Sequence, residues 1–263
     1  MKAAVNTVTL RSHSPREIVS ILKEVGIEAV EWAGDVHVPP GDTGKAEEVK
    51  ALCDTNQITV VSYGSYYQCD LGGQGKGPFQ HDHGPEAALQ TARALGVKAL
   101  RVWAGRSGSE TASAAYRDEV ADCLRNFCDQ ADAEGMTVHL EFHRNTLTDT
   151  AASTVALMEA VAKRNLFSYW QPRHGVSVSN NIADIKLLGS RLSHVHVFHW
   201  ILQAEGTIER RPLKEGTERW RDYFQAIRQV PYDDRCAMIE FVKDDTLTQF
   251  NEDVAVLKSM LSE

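Results

Sequence analysis

The chain has 263 residues, of which 43% are hydrophobic and 24% are charged. This composition predicts a globular protein whose core is large enough to fold without disulfides or a structural metal. Because 36 acidic residues outnumber 28 basic ones, giving a net charge of −8, we expect no nucleic-acid partner, which would require a basic surface. The length fits one α/β barrel, for which about 250 residues is typical. Two small domains would also fit.

The cysteines and the apolar segments indicate where the protein works. The odd number of cysteines, and the absence of a C-x-x-C pair, predict free, mostly buried thiols rather than a disulfide framework. The N-terminus has no apolar stretch of signal-peptide length, and no run approaches the ~18 apolar residues of a membrane span. We therefore expect a cytoplasmic protein with no membrane partner. The cysteines are Cys53, Cys69, Cys123, Cys128 and Cys236.

Short β-branched or aromatic runs alternate with longer amphipathic stretches along the chain. Ser14 before Pro15 predicts a helix start, and Gly26, Gly96 and Gly135 predict helix ends. Strands that alternate with helices predict βαβ units and a parallel sheet. Eight such units, at about 33 residues each, predict one (β/α)8 TIM barrel over residues 1–263. An open doubly wound sheet is the alternative, although no G-x-G-x-x-G follows the first strand. The eight candidate strands are 3–9, 29–32, 58–64, 98–104, 137–143, 166–171, 192–198 and 236–241.

Two connections, 65–84 and 199–216, are unusually long. Loops beyond ~12–15 residues in a compact domain are usually functional or mobile. In a barrel both would follow strands on the catalytic face. The glycine-rich connection 65–84 is predicted to be a lid that becomes ordered when ligand binds. Lys76, Arg210, Arg211 and Lys214 lie in these connections and could hold a phosphate or carboxylate if they converge.

Polar residues alternate with apolar ones in the fifth and seventh candidate strands. A period of two places His139, Glu141 and His143 on one face of the fifth strand, and His194 and His196 on one face of the seventh. The apolar residues between them can face the helices, so the polar set would face the barrel interior. A carboxylate there is costly unless it is paired or bound to a metal.

Two more strands add polar residues at the same predicted end of the barrel. The sixth ends near Gln171, and the eighth brings Glu240 after an apolar run. Oxygen and nitrogen ligands from four strand ends suit Mn²⁺, Mg²⁺, Co²⁺ or Zn²⁺. The alternative is a set of buried polar side chains satisfied by their neighbours. Glu31 and Arg101 also face inward, where they predict an interior ion pair.

The chain resembles the xylose-isomerase-like barrel family, the sugar phosphate isomerases and epimerases, over essentially its whole length. The resemblance implies that Glu141, Gln171, His196 and Glu240 hold one divalent metal ion. It also implies that His174 contacts a substrate hydroxyl. Gln171 departs from the Asp usual in the family. The passages that resemble the family are GIEAVEWAGDVHVPPGD, SYGSYY, LRVWAG, LEFHRNTLTDT, YWQPRHG, SHVHVFHW and MIEF.

The resemblance implies a sugar isomerase or epimerase in which Glu141 and Glu240 form an acid/base pair. A metal that polarises a carbonyl acidifies the adjacent C–H, and a carboxylate within reach can remove that proton. A lyase or dehydratase acting on a keto-sugar or keto-polyol would share this step and stays an alternative. A non-catalytic barrel is a third, supported only by Gln171. The expected partner is a small sugar or polyol, and relatives suggest a homo-oligomer.

Four further residues are expected to contact substrate. His37 follows the second strand near the predicted mouth, although an ordinary surface-loop histidine is equally consistent. His143 stands two residues beyond Glu141 and is expected to contact substrate or support the metal ligands. Trp103 and Tyr66 could form an apolar wall for a sugar ring, with core packing as the alternative for Trp103.

Overall fold

A computed structural model describes residues 1–70 and 84–263. Eight parallel strands close into a barrel in the order β1-β10-β7-β6-β5-β4-β3-β2, which confirms the predicted (β/α)8 fold. Two further strands, β8 and β9, pair as an antiparallel hairpin outside the barrel. The strands are β1 (Lys2–Asn6), β2 (Ala29–Ala33), β3 (Thr59–Gln68), β4 (Ala99–Trp103), β5 (Thr137–Leu140), β6 (Leu166–Trp170), β7 (Leu192–Val197), β8 (His199–Leu202), β9 (Ile208–Arg211) and β10 (Cys236–Ile239).

Helices alternate with the barrel strands and cover their outer faces. The predicted start at Ser14 is a capping box, because its hydroxyl accepts from the Glu17 amide while the Glu17 carboxylate accepts from the Ser14 amide. Gly96 ends its helix in the left-handed conformation, with φ 70°. The helices are α1 (Pro15–Glu24), α2 (Thr43–Thr55), α3 (Pro85–Leu95), α4 (Ala114–Ala133), α5 (Ala151–Val161), α6 (Val178–Leu188), α7 (Thr217–Arg228) and α8 (Leu247–Ser262).

The core lies mainly between the barrel and the helices. Val138 and Leu140 of β5 are fully buried in it, whereas His139 between them is buried in the barrel interior. Both faces of each strand are therefore covered, as parallel sheets require. The interior contains a smaller apolar cluster that includes Tyr169 and Met238. The apolar–polar alternation thus separates the two faces as predicted.

Several strands end earlier than predicted. β5, β6 and β10 stop at Leu140, Trp170 and Ile239, so Glu141, Gln171 and Glu240 each occupy the first position beyond a strand. The backbone stays anchored there, because the Glu141 amide donates to Val102 and the Glu240 amide donates to Val197. These residues therefore lie where the strands end and the loops begin, and hydrogen bonds to the neighbouring strands hold the backbone of Glu141 and Glu240.

The two long connections differ from the prediction in different ways. Region 199–216 is not an open loop: it contains the β8–β9 hairpin and a 3-10 turn at Leu213–Gly216. In the other, residues 65–68 continue β3, while 71–83 lie outside the described residues, and with them the predicted lid. The five cysteines are free thiols, as predicted. Among the described helices, none is both long and apolar enough to cross a membrane.

Candidate metal centre

Three predicted ligands converge at the carboxyl end of the barrel. Glu141, His196 and Glu240 each offer one ligand atom, and these atoms all lie within 4.8 Å of one another. All three residues are buried, with His196 fully inaccessible to solvent. His196 Nδ1 lies 3.1 Å from Glu240 Oε2. Two carboxylates and one imidazole at this spacing form a donor set that can hold a divalent ion.

Gln171 lies beside this cluster. Its Oε1 is 3.0 Å from His196 Nδ1, the same nitrogen that faces Glu240. Two oxygens therefore share one imidazole nitrogen, and the side chain of Gln171 is turned towards the cluster rather than away from it. The four residues proposed from the sequence meet at one point, and the role of Gln171 as a ligand stays a prediction.

A buried ion pair forms the floor of the cluster. Arg101 Nε donates to Glu31 Oε1 at 2.8 Å, as the sequence predicted for these inward-facing residues. The same guanidinium donates from NH1 to Glu141 Oε2, which also accepts from Trp103 Nε1. Arg101 is 1% exposed and Glu31 is 0% exposed. One oxygen of Glu141 is therefore held by two donors.

The charges of this buried group fit a divalent cation. Three carboxylates, Glu31, Glu141 and Glu240, stand against the single guanidinium of Arg101. Two negative charges remain when His196 is neutral, and uncompensated buried charge is costly. Within the described part of the chain, His196 Nε2 and one Arg101 nitrogen also lack hydrogen-bond partners. The residues present therefore fit a 2+ ion in number, type and charge.

His196 and Glu240, the closest pair in the cluster, shift each other's pKa. Burial alone would raise the pKa of Glu240, but the neighbouring His196 and Arg101 hold it below its ordinary value. Burial likewise opposes a charged His196, yet Glu240 raises the pKa of the imidazole above its ordinary value. A metal ion binds only a deprotonated ring nitrogen, so the ion and a proton compete for His196 Nδ1, the nitrogen that faces Glu240.

A cavity of about 670 Å³ opens above the cluster. Four of the five residues proposed as substrate contacts line it: Tyr66, Trp103, His143 and His174. Trp103 stacks on His143 with ring centroids 4.7 Å apart, and His174 stacks on Trp200 at 5.3 Å. Flat aromatic pairs therefore form parts of its wall, beside Glu141 and Glu240 at its base.

Two histidines, His143 and His174, line the cavity, and their ring nitrogens lie in different surroundings. His143 Nδ1 lies 2.6 Å from the carbonyl oxygen of Arg144. A carbonyl can only accept, so Nδ1 carries a proton, and in the neutral form of the ring Nε2 keeps a lone pair. Burial, with a smaller effect of the nearby Arg144 and His143, lowers the pKa of His174 to about 4. Both side chains can therefore accept hydrogen bonds from hydroxyl groups.

His37 is placed differently from the others. It is buried, with Nδ1 3.0 Å from Thr7 Oγ1 and its ring edge-on to Trp32. Burial lowers its pKa to about 4. Its side chain packs between the ends of β1 and β2, and it is absent from the cavity lining that the described residues form. The structure thus does not bring His37 to the other proposed contacts.

Sequence reasoning missed a group of basic residues at the rim. Arg210 is the one member named from the sequence, and its guanidinium lies over the Phe241 ring at 4.4 Å. Its neighbour Arg211 turns instead to Glu209 and Glu215. The members come from four separate connections between barrel strands, so no local pattern could reveal their convergence. The arginines that line the cavity are Arg11, Arg144, Arg173 and Arg210.

Two aromatic residues at the cavity have strained backbones. Tyr66 has φ 57° and Phe241, directly after Glu240, has φ 55°. A bulky residue in the left-handed region is a genuine outlier, and such outliers cluster at functional sites. The strain at Tyr66 accompanies a ring placed 5.1 Å from the Arg101 guanidinium. Both positions support the assignment of this cavity as the functional site.

The barrel fold agrees with the comparison with known families. Residues 19–260 match the family described as the xylose isomerase-like TIM barrel, and the chain belongs to that family. This finding confirms the resemblance that the sequence motifs indicated.

Known proteins with a similar sequence or fold include two kinds of enzyme. The chain is 30% identical over 173 residues to a 3-dehydroshikimate dehydratase of Bacillus anthracis, an alignment covering 63% of this chain and 60% of that protein. The crystal structure of the probable 3-DHS dehydratase of the same organism superposes with a TM-score of 0.76 at 21% identity, covering 98% of this chain and 99% of that one. A D-psicose 3-epimerase of Clostridium cellulolyticum H10 has a TM-score of 0.72 at 16% identity, covering 100% and 99% of the two chains.

Proposed function

We propose that this protein is a divalent-metal-dependent dehydratase that acts on a polyhydroxy ketone bearing a carboxylate. The observation that carries the proposal is the presence of four arginines in the lining of the cavity. The sequence first favoured isomerase or epimerase chemistry on a free or modified sugar. Similarity to a 3-dehydroshikimate dehydratase supports the dehydratase alternative at least as well.

The cationic rim favours an anionic substrate. Four arginines face the cavity against three carboxylates, Glu141, Asp149 and Glu240. Two of those carboxylates belong to the proposed metal centre, so a bound divalent ion would offset them and leave four guanidiniums and one carboxylate, Asp149, along the rest of the lining. A neutral sugar gains little from such a field, whereas a carboxylate gains charge-assisted hydrogen bonds worth about 1.5–3 kcal/mol each.

Three rim arginines are already held in place from outside the cavity. Arg11 NH2 lies 2.7 Å from Asp35, Arg173 Nε lies 2.7 Å from Asp184, and Arg210 NH1 lies 2.6 Å from Asp245. A guanidinium has five N–H donors, so one ion pair can orient the group while the remaining N–H donors stay available for a ligand. These pairs support a preorganised anion site.

The proposed reaction removes a proton and a hydroxyl from neighbouring carbons. A bound divalent ion would polarise the ketone and acidify the adjacent C–H. Glu141 and Glu240 are the proposed proton-transfer groups, and His143 and His174 would accept hydrogen bonds from substrate hydroxyls. The C–H bond breaks, a C=C bond forms, and the hydroxyl on the next carbon leaves with a proton as water. Atoms and charge balance without any further reactant.

A direct assay separates this function from epimerisation. Purified protein with Mn²⁺ is incubated with 3-dehydroshikimate, and separately with D-psicose and with D-fructose, in D₂O. We expect loss of one water from the acid and slow or no conversion of the sugars. Chelator should abolish turnover, and His196→Ala should reproduce that loss. Conversion of the sugars without reaction of the acid would overturn the dehydratase assignment.

Epimerisation stays the second candidate because of one specific feature. Glu141 and Glu240 both line the cavity, and two carboxylates can remove and return a proton at the same carbon. In that case the recovered sugar would contain solvent deuterium at the carbon beside the carbonyl and would keep all its hydroxyls. The same experiment in D₂O therefore identifies either reaction.

A further inference from the structure

The imidazole of His196 lies between two carboxylates. Nδ1 is 3.1 Å from Glu240 Oε2, and Nε2 is 4.0 Å from Glu31 Oε1. A neutral imidazole carries one proton, so only one of its nitrogens has a lone pair for a metal ion. The partner of the other nitrogen decides which one that is.

We propose that Glu31 is a positioning residue: it holds the His196 proton on Nε2 and so directs Nδ1 to the divalent ion. The inference rests on the proposed function, because it requires an ion between Glu141, His196 and Glu240. Glu31 acts only through His196. The sequence had suggested for it nothing more than an interior ion pair with Arg101.

Glu31 is rigidly held. Its Oε2 accepts from Ser62 Oγ at 2.6 Å and from Tyr169 Oη at 2.7 Å, and its Oε1 accepts from Arg101 Nε at 2.8 Å. A carboxylate offers about four acceptor positions, so these three donors leave room for one more on Oε1. Oε1 is the oxygen that faces His196 Nε2. The remaining acceptor position and the imidazole nitrogen are therefore neighbours.

The surroundings of Nε2 favour a proton there. Nε2 is buried and has no hydrogen-bond partner within the described part of the chain. In a dry interior, a carboxylate 4.0 Å away strongly stabilises positive charge density on this side of the ring. On the other side, Nδ1 faces Gln171 Oε1 and Glu240 Oε2, two oxygens that an ion could share with it.

Packing keeps the ring in this orientation. The Tyr169 ring meets His196 edge-on, with centroids 5.2 Å apart and planes at 84°. Tyr169 therefore contacts the imidazole and the Glu31 carboxylate at once. A glycine is needed at position 64, since a Cβ on Gly64 would lie 2.5 Å from an Arg101 nitrogen and 3.1 Å from Glu31 Oε1. Because Gly64 has no side chain, Arg101 and Glu31 can approach the backbone closely at this point.

Zinc binding tests the inference without reference to activity. Wild type, Glu31→Gln and Tyr169→Phe are titrated with Zn²⁺ by calorimetry, and Glu134→Gln, at a surface ion pair, is the control. We expect Glu31→Gln to lower zinc affinity by about 10–100-fold, the usual effect of removing a group that orients a ligand. Tyr169→Phe keeps the charge and should cost a smaller, severalfold loss. The control should match wild type.

Nitrogen NMR of histidine-labelled protein supplies the second measurement. In zinc-loaded wild type, His196 should bind through Nδ1 and carry its proton on Nε2, with resonances assigned by their loss in His196→Ala. Zinc on Nε2, or unchanged affinity in both Glu31→Gln and Tyr169→Phe, would overturn the role of Glu31 while leaving the metal centre intact. If wild type itself bound no zinc, the proposed function would fail first. Tyr169→Phe keeps the test decisive if Glu31→Gln does not fold.

Discussion

The two ends of the barrel interior both contain buried histidines and an arginine, but they differ in how well these groups are satisfied. At the amino end, His139 uses both ring nitrogens, with Thr137 and Ser193 each at 2.8 Å. His194 Nδ1 accepts from a backbone amide at 3.1 Å. Arg235 donates to four backbone carbonyls. Such extensive pairing is typical of groups that stabilise a fold.

At the carboxyl end, the same residue types are left incomplete. His196 Nε2 and one Arg101 nitrogen lack partners within the described residues, and three carboxylates crowd one guanidinium. Because a protein rarely leaves buried polar groups unpaired without a reason, the incomplete end is the one expected to bind a ligand. Buried histidines alone therefore do not indicate a metal site; unsatisfied histidines among excess carboxylates do.

The largest expected effect is on stability, from removing the guanidinium of Arg101, which is buried beside Glu31 and Glu141. Arg101→Met leaves Glu31 and Glu141 without their shared cation, and breaking such a buried pair typically costs about 3–5 kcal/mol of unfolding free energy. Urea unfolding with chelator present measures this loss. Arg93→Met, at a surface pair with Glu134, should cost less than about 1 kcal/mol. Equal losses would mean that the interior charges are not coupled as described.

The rim arginines should affect substrate rather than metal. Arg210→Met is expected to raise KM for a carboxylate substrate by about 10–100-fold, the loss of one charge-assisted hydrogen bond. Its metal affinity should stay unchanged. Arg211→Met is the matched control, because its guanidinium binds Glu209 and Glu215 instead. An unchanged KM in Arg210→Met would remove the anion site from the proposal.

A buried histidine at the amino end of the barrel, His194, should make the free energy of unfolding depend on pH. Burial lowers the pKa of His194 to about 4, below the ~6.5 of an unfolded histidine. Between these values the unfolded chain binds more protons, so the stability from neutral His194 is complete above pH ~6.5 and is lost as pH falls towards 4. The loss is up to about 2 kcal/mol at pH 5. His194→Asn should flatten the slope of unfolding free energy against pH; an identical slope would contradict this.

The smallest expected effect concerns Gln171. Replacing its amide with a carboxylate in Gln171→Asp adds a charged oxygen beside a 2+ ion, so metal affinity should rise by about tenfold. The added negative charge should also weaken binding of anionic substrate analogues. Gln171→Asn, which is neutral and of the same length as Asp, is the control. If both affinities stay at the wild-type level, Gln171 is no ligand and the charge argument fails.

Much of the fold and of the candidate metal centre was predictable from local pattern. Alternation in LSHVHVF placed His196 inside the barrel, and the carboxyl ends of parallel strands necessarily meet at one edge. Glu141, Gln171 and Glu240 were therefore expected together even though each strand ends one residue before them. A period of two and a closed barrel are sufficient to bring such residues to one point.

The features that sequence missed depend on how loops pack. The four rim arginines converge from separate connections, and His37 turns into the packing beside Thr7 instead of the cavity. The β8–β9 hairpin replaces an expected open loop. Neither periodicity nor spacing reports on the direction of a loop side chain, because tertiary contacts decide it. Cytoplasmic location and a homo-oligomeric state stay predictions.

A manganese titration of three proteins tests the central claim most directly. Calorimetry with Mn²⁺ on wild type, His139→Gln and His196→Ala compares the two ends of the barrel at the same residue type. The account predicts one ion per chain in wild type and in His139→Gln, and no measurable binding in His196→Ala. Equal binding by all three proteins, or none by wild type, would contradict a metal centre at the carboxyl end.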